Sequence, residues 1–177
     1  MTVSAEGLTR YAVSPTETAL TVDARTTLHA VRATASGLSG YVAAAWNAEG
    51  GLTLEPAPVM HVEFPIDQVR SGNSLQDREM RKLVDANRFP KVAADLRSLE
   101  LLSAPNRYKA NGEITLVGRS RTYGGDFTIV RDGESVIVDG ELGVDIRDFG
   151  LKPPSLLMLK VDPSLRIRLR LVARKVV

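Results

Sequence analysis

The stretch Val136-Ile137-Val138-Asp139-Gly140-Glu141-Leu142-Gly143-Val144-Asp145-Ile146 decides the fold class. From Val136 through Val138, Gly140, Leu142 and Val144 to Ile146, every second residue is apolar or glycine. Asp139, Glu141, Asp145 and Arg147 mostly fall on the other face. A period of two sets successive side chains on opposite sides of an extended chain, so the segment reads as one long strand with a single buried face. The pattern recurs at both ends of the chain. Leu20, Val22 and Ala24 share a face, as do Met60, Val62, Phe64 and Ile66, with His61 and Glu63 pointing the other way. Ile167, Leu169 and Leu171 alternate with Arg166, Arg168 and Arg170, whose charges suit a hydrated outer surface.

Further strand-like segments cover residues 41–46, 92–99, 108–116 and 125–130. Turn residues separate them: Glu49-Gly50-Gly51, Ala104-Pro105-Asn106 and Asp132-Gly133, the last being the clearest hairpin signal. Strands this numerous, with short turns and no alternating helices, predict an antiparallel barrel or sandwich and argue against a parallel sheet. One helix interrupts them. Ser74 followed by Asp77 resembles a capping box, and Leu75, Met80, Leu83 and Val84 then fall near one side of a helix that ends before Phe89-Pro90. Asp77, Arg78, Arg81 and Lys82 are expected to face solvent or the rim of whatever the helix covers.

Composition narrows the chemistry. The chain has 177 residues and no cysteine, which excludes disulfide scaffolds, zinc-thiolate sites and cysteine nucleophiles. Its length suits one compact domain over residues 1–177, and no linker or repeat suggests a boundary. Lys and Arg number 23 against 21 Asp and Glu, too near balance to imply nucleic acid as a partner. The first ten residues carry no basic start and no apolar run, so the expected location is the cytoplasm. The longest apolar stretches fall well short of the ~20 residues that cross a bilayer.

Catalytic and metal motifs are absent from the pattern. The only histidines, His29 and His61, have no ligand spacing, no Gly-x-Ser-x-Gly elbow occurs, and Gly37-Leu38-Ser39-Gly40 reads as a turn rather than a phosphate loop. No cofactor or metal is expected. Ala43, Ala44 and Ala45 beside Trp46 admit two readings, routine strand packing or thin walls around an open lumen. An eight-stranded barrel is just wide enough either to be filled by side chains or to hold one slender ligand.

Several ordered landmarks resemble the YceI-like family, described as lipocalin-like barrels that bind polyisoprenoids. Tyr11-Ala12-Val13-Ser14-Pro15 is similar to the family's opening Tyr-x-hydrophobic-Asp-Pro, with Ser14 for Asp. Ser74-Leu75-Gln76-Asp77-Arg78-Glu79-Met80-Arg81 resembles its Arg-Asp-x-x-Leu-Arg helix start, keeping Asp77 and Arg81, and Phe89-Pro90 matches the aromatic-Pro that follows. Gly112-Glu113-Ile114-Thr115-Leu116-Val117-Gly118-Arg119-Ser120-Arg121 is similar to Gly-x-Leu-Thr-x-x-Gly-x-Thr-Lys, and Arg147-Asp148-Phe149-Gly150-Leu151 follows Arg-x-Asp-Phe-Gly with one residue fewer. The resemblance implies an all-β, eight-stranded antiparallel lipocalin-like barrel, with one short helix covering part of it and an apolar tunnel for a long isoprenoid tail. The family's Phe-rich stretch between the first strands is replaced here by the smaller, more polar residues 29–40.

On that basis the lining is assigned to Leu20 and Val22; Met60, Val62 and Phe64; Ile114 and Leu116; Phe127 and Ile129; Val138, Leu142 and Val144; and Ile167 and Leu169. Each has an alternative as ordinary core. Leu157 and Met158, in the run after Pro153-Pro154, are candidates for an apolar mouth, and plain packing under a loop is the alternative. Arg25, Arg32, Arg78 and Arg81, with Lys82, are candidates for an anionic head group, because guanidinium pairs bidentately with phosphate. The expected function is non-enzymatic binding, carriage or storage of an apolar lipid or polyisoprenoid. The alternatives are an enzyme using His29 or His61 in the same cavity, or a ligand-free interaction module. Pairing through an open sheet edge would give a homodimer.

Overall fold

A computed structural model of the chain describes residues 7–153, 155–156 and 159–177. Strands β1 (Thr9–Val13), β2 (Ala19–Arg25), β3 (Ala30–Ala35), β4 (Ser39–Ala44), β5 (Val59–Pro65) and β6 (Val69–Arg70) precede the helix α1 (Ser74–Leu83). Strands β7 (Lys91–Leu101), β8 (Arg107–Leu116), β9 (Arg119–Asp132) and β10 (Ser135–Asp145) follow it. A small hairpin of β11 (Ser155–Leu156) and β12 (Leu159–Lys160) then leads into β13 (Ser164–Lys175). The order β1-β4-β5-β7-β8-β9-β10-β13 is hydrogen-bonded throughout and antiparallel, and β13 returns to β1, which closes an eight-stranded barrel.

The closing strand does two jobs. On one side β13 pairs with β10 from Ser164 to Arg174; on the other it pairs with β2 through Arg166–Arg170 and with β1 through Ala173–Lys175. β1 and β2 are therefore two halves of one broken wall strand. Residues 14–18 bulge out between them, and the Thr18 hydroxyl bridges the gap by donating to the Val172 carbonyl (3.3 Å) and accepting from the Val172 N–H (3.1 Å). The next wall strand is broken in the same way into β3 and β4. There Gly40 has φ of 137°, and a Cβ would lie 2.0 Å from the His61 carbonyl, so only glycine fits where the wall bends. The β5 and β6 segments repeat the break and place α1 at the end of the barrel where β2, β7, β9 and β13 meet their turns.

One expectation is corrected. The helix is capped by Asn73, whose side chain accepts from the N–H groups of Leu75 and Gln76 (3.0 and 3.2 Å), because Asn73 holds extended dihedrals while Ser74 is already helical. Asp77, expected to face solvent or the rim of what the helix covers, stands at that rim, half-buried, and accepts from the N–H and hydroxyl of Ser71 (2.9 and 2.7 Å), tying the helix to the chain leaving β6. The arginines of β13 are not left to water alone. Arg170 meets Asp139 at 2.8 Å, and Arg166 and Arg168 each approach Glu141 at 3.5 Å across the β10–β13 ladder.

The core is densest at the end opposite the helix. Val136, Leu171 and Ala173 are fully buried there beside Tyr11, Val13 and Val42, and the Trp46 indole donates to the Tyr11 hydroxyl at 3.0 Å. A second packed layer, Ile66, Val69, Val84, Ile146 and Phe149, lies at the helix end. Among the described residues, no helix is long and apolar enough to cross a membrane.

Candidate ligand cavity

The lumen between those two packed layers is hollow. Alternation along eight strands sends one apolar face inward, and the inward side chains leave two neighbouring chambers of about 160 and 240 Å³ that share part of their walls. Both far exceed the ~10–15 Å³ that one water needs, and with walls this apolar they are the kind of space that stays dry or takes an apolar guest. The first chamber lies among Leu20, Val42, Val62, Val138 and Leu169. The second lies under α1, among Val31, Ala33, Met80, Leu83 and Phe149. Val22, Phe64, Val92, Ile114 and Ile167 border both, forming a waist where the broad ring of Phe64 is the largest obstacle.

Glycine makes the room. Phe127 pairs with Gly140 across the β9–β10 ladder, and a Cβ at Gly140 would sit 2.3 Å from the Phe127 ring. A Cβ on Gly125 would come within 3.1 Å of the same ring. With both positions empty of side chain, the ring lies flat against the wall instead of projecting across the lumen. Ala44, Ala94, Ala110 and Gly112 thin the first chamber, and Ala24 and Ala33 the second. Of Ala43, Ala44 and Ala45, Ala44 is the one that borders the lumen.

Every residue assigned to the lining from sequence borders this space. Val22, Phe64, Ile114 and Ile167 stand at the waist, Leu116 and Val144 in the second chamber, and the remainder, from Leu20 to Leu169, in the first. Missed were the contributions of the helix and of the 3₁₀ turn Ile146–Phe149. Ser71, Gln76, Asp77, Glu79 and Met80 wall the second chamber, and Phe149 is buried at its edge. The apolar side of α1 was legible in Leu83 and Met80; nothing in the spacing of Phe149 marked it as a wall. Phe149 stacks on Tyr123 with ring centroids 6.0 Å apart. The Tyr123 hydroxyl donates to the Asp148 carboxylate at 2.6 Å, and burial together with that anion raises the phenol's pKa. Leu157 and Met158 lie outside the described residues.

The proposed head-group arginines are not brought to the cavity. Arg25 and Arg32 occupy the outward parity of β2 and β3, and Arg32 is engaged by Asp23 at 2.7 Å. Arg78 is exposed on the helix, Arg81 is half-exposed, and neither borders a chamber. The histidines are outside as well. His29 is exposed in the β2–β3 turn, and His61 sits on the outer face with Nδ1 2.7 Å from Asp95 and Nε2 3.2 Å from Glu63. Partial burial pulls the His61 pKa down, but the two carboxylates outweigh it and the net shift is upward. Among the described residues no group of acidic and histidine side chains is arranged to hold a metal.

Comparisons with known proteins agree with this architecture. No curated protein is significantly similar in sequence. Among solved structures, Burkholderia cenocepacia BcnA superposes with a TM-score of 0.75 at 14% identity, covering 91% of this chain and 99% of its own. A polyisoprenoid binding domain from Saccharophagus degradans, implicated in plant cell wall breakdown, gives a TM-score of 0.70 at 12% identity, covering 94% and 98%. The Campylobacter jejuni YCEI protein gives 0.66 at 13% identity, covering 83% and 86%. At such identities the likeness is one of fold. The model of the YceI-like domain matches residues 11–173, from the first wall strand to the last, and the chain belongs to the YceI-like domain family.

Proposed function

We propose that this barrel binds a long apolar ligand, an isoprenoid or similar lipid, lengthwise through both chambers, and that it carries or stores that ligand without transforming it. The observation that supports this reading is the lumen itself: two neighbouring chambers walled mainly by aliphatic and aromatic side chains, with polar residues of α1 at the edge of the second and both histidines on the outside. Each CH₂ withdrawn from water contributes about 0.8 kcal/mol, so a chain threaded through the waist binds strongly without directional contacts, less the cost of ordering it. Family membership and the neighbouring polyisoprenoid binding domain point the same way.

The test is direct. Purified protein is extracted with organic solvent and the extract analysed by mass spectrometry, and delipidated protein is offered prenyl lipids. A co-purified lipid or stoichiometric uptake is expected. A clean extract with no uptake would overturn the reading.

A further inference from the structure

The helix end of the barrel carries two exposed leucines. Leu28 is 79% exposed at the tip of the β2–β3 turn, and Leu75 is 43% exposed in the first turn of α1. The turn that presents Leu28 is pinned. The Thr26 N–H and hydroxyl both donate to the His29 carbonyl (2.8 and 2.9 Å), the Thr26 hydroxyl accepts from the N–H of His29 (3.1 Å), and the Thr27 N–H donates to the Lys160 carbonyl (3.1 Å). A fixed turn with an aliphatic tip is a built feature, since the loop gains nothing internally from that side chain. Thr26 borders the second chamber from one side and Gln76 and Met80 of the helix border it from another, so both leucines stand on elements that frame the same apolar space.

Charge on the elements framing this end is predominantly basic. On the β2–β3 turn, α1 and residues 151–162, the cations Arg25, Arg78, Arg81, Lys82, Lys152 and Lys160 outnumber Asp77, Glu79 and Asp162, with Asp67, Asp85 and Asp148 on adjoining turns; among the described residues Lys82 is paired with Glu79 at 3.4 Å. The opposite end also exposes an aliphatic residue, Leu101 at 64%, but there Glu49, Glu55, Glu100, Asp132 and Glu134 offset the neighbouring cations. An aliphatic tip within a basic fringe is complementary to an anionic bilayer surface: the leucine enters the acyl boundary, and each nearby Lys or Arg contributes about as much attraction as one more apolar insertion.

We infer that the helix end of the barrel docks on anionic phospholipid membranes, with Leu28 and Leu75 inserted and the surrounding lysines and arginines on the headgroups. The inference goes beyond ligand binding and does not depend on what fills the lumen. Flotation of the full chain with phosphatidylcholine vesicles, with and without phosphatidylglycerol, tests it. Partition onto the anionic vesicles is expected to be at least about tenfold stronger and to fall at high salt. Leu28→Asp is expected to weaken it about tenfold, and Leu75→Asp by less, each with an unchanged circular dichroism spectrum and unchanged lipid content. Leu101→Asp, at the other end, is expected to bind as the parent does. Absence of the anionic preference, indifference to Leu28→Asp, or an equal loss from Leu101→Asp would each overturn the proposal. Loss of vesicle binding with lipid loading intact separates its failure from failure of the ligand reading.

Discussion

Two regions of the barrel interior are built from the same strands and the same alternation, yet the layer opposite the helix is solid and the stretch between it and the packed layer under α1 is hollow. Around Leu171, Val136 and Tyr11 the inward side chains meet and exclude solvent. Four residues back along β13, Ile167 stands beside its ladder partner Val22 at the waist, and on either side of that waist the inward side chains leave open space. Periodicity therefore specifies which face of a strand is inside, while the volume left inside depends on the few positions where alanine or glycine replaces something larger.

That contrast makes quantitative expectations. Leu171→Ala, at the packed end, removes atoms with neighbours on every side and is expected to cost about 2–5 kcal/mol in urea denaturation. Leu169→Ala, which borders the lumen, is expected to cost distinctly less, because part of its surface has no packing partner to lose. Equal losses would erase the distinction between the two regions. Next, Gly140→Ala places a Cβ against the Phe127 ring and is expected to cost about 1–3 kcal/mol while swinging the ring into the first chamber. A thermal melt combined with uptake of a fluorescent prenyl probe checks both parts. Filling the hollow stretch works the other way. Ala33→Phe, in the second chamber, is expected to change stability by less than about 1.5 kcal/mol while lowering probe uptake severalfold, which distinguishes unused room from strained packing.

The smallest effect is expected on the outer face. The His61 pKa in the folded barrel lies above its unfolded value, so the contribution of the Asp95 and Glu63 pairing is fully present below the unfolded pKa and is lost as pH rises through the folded one. Both carboxylates are partly exposed, and the pairing is expected to contribute less than about 1 kcal/mol. Denaturation of the parent and of His61→Gln should differ in stability below the unfolded pKa, differ in slope between the unfolded and folded values, and converge above them.

Much of this was legible in the sequence for a definite reason. β10 and β13 are wall strands with one wet and one greasy side, so the two-residue period of residues 136–146 and 166–171 reports their faces without help from tertiary context. The lining positions followed from that parity. The helix cap was misplaced by one residue because Asn73 and Ser74 are both good capping types and sequence does not say which is still extended. Phe149 was missed because a 3₁₀ turn has no usable periodicity, and charge alone does not say that Arg32 is already engaged by Asp23 on the outer face.

The reach of β13 has a consequence for how the protein comes into being. Thr18 and Val172, which bind each other at the seam, are 154 residues apart in the chain. During synthesis the inward faces of β1 to β10 are therefore displayed as an open, sticky sheet until residues 164–175 have left the ribosome. The pocket is closed only when β13 pairs with both β10 and β1, so a guest molecule enters either as the seam zips shut or afterwards through an opening.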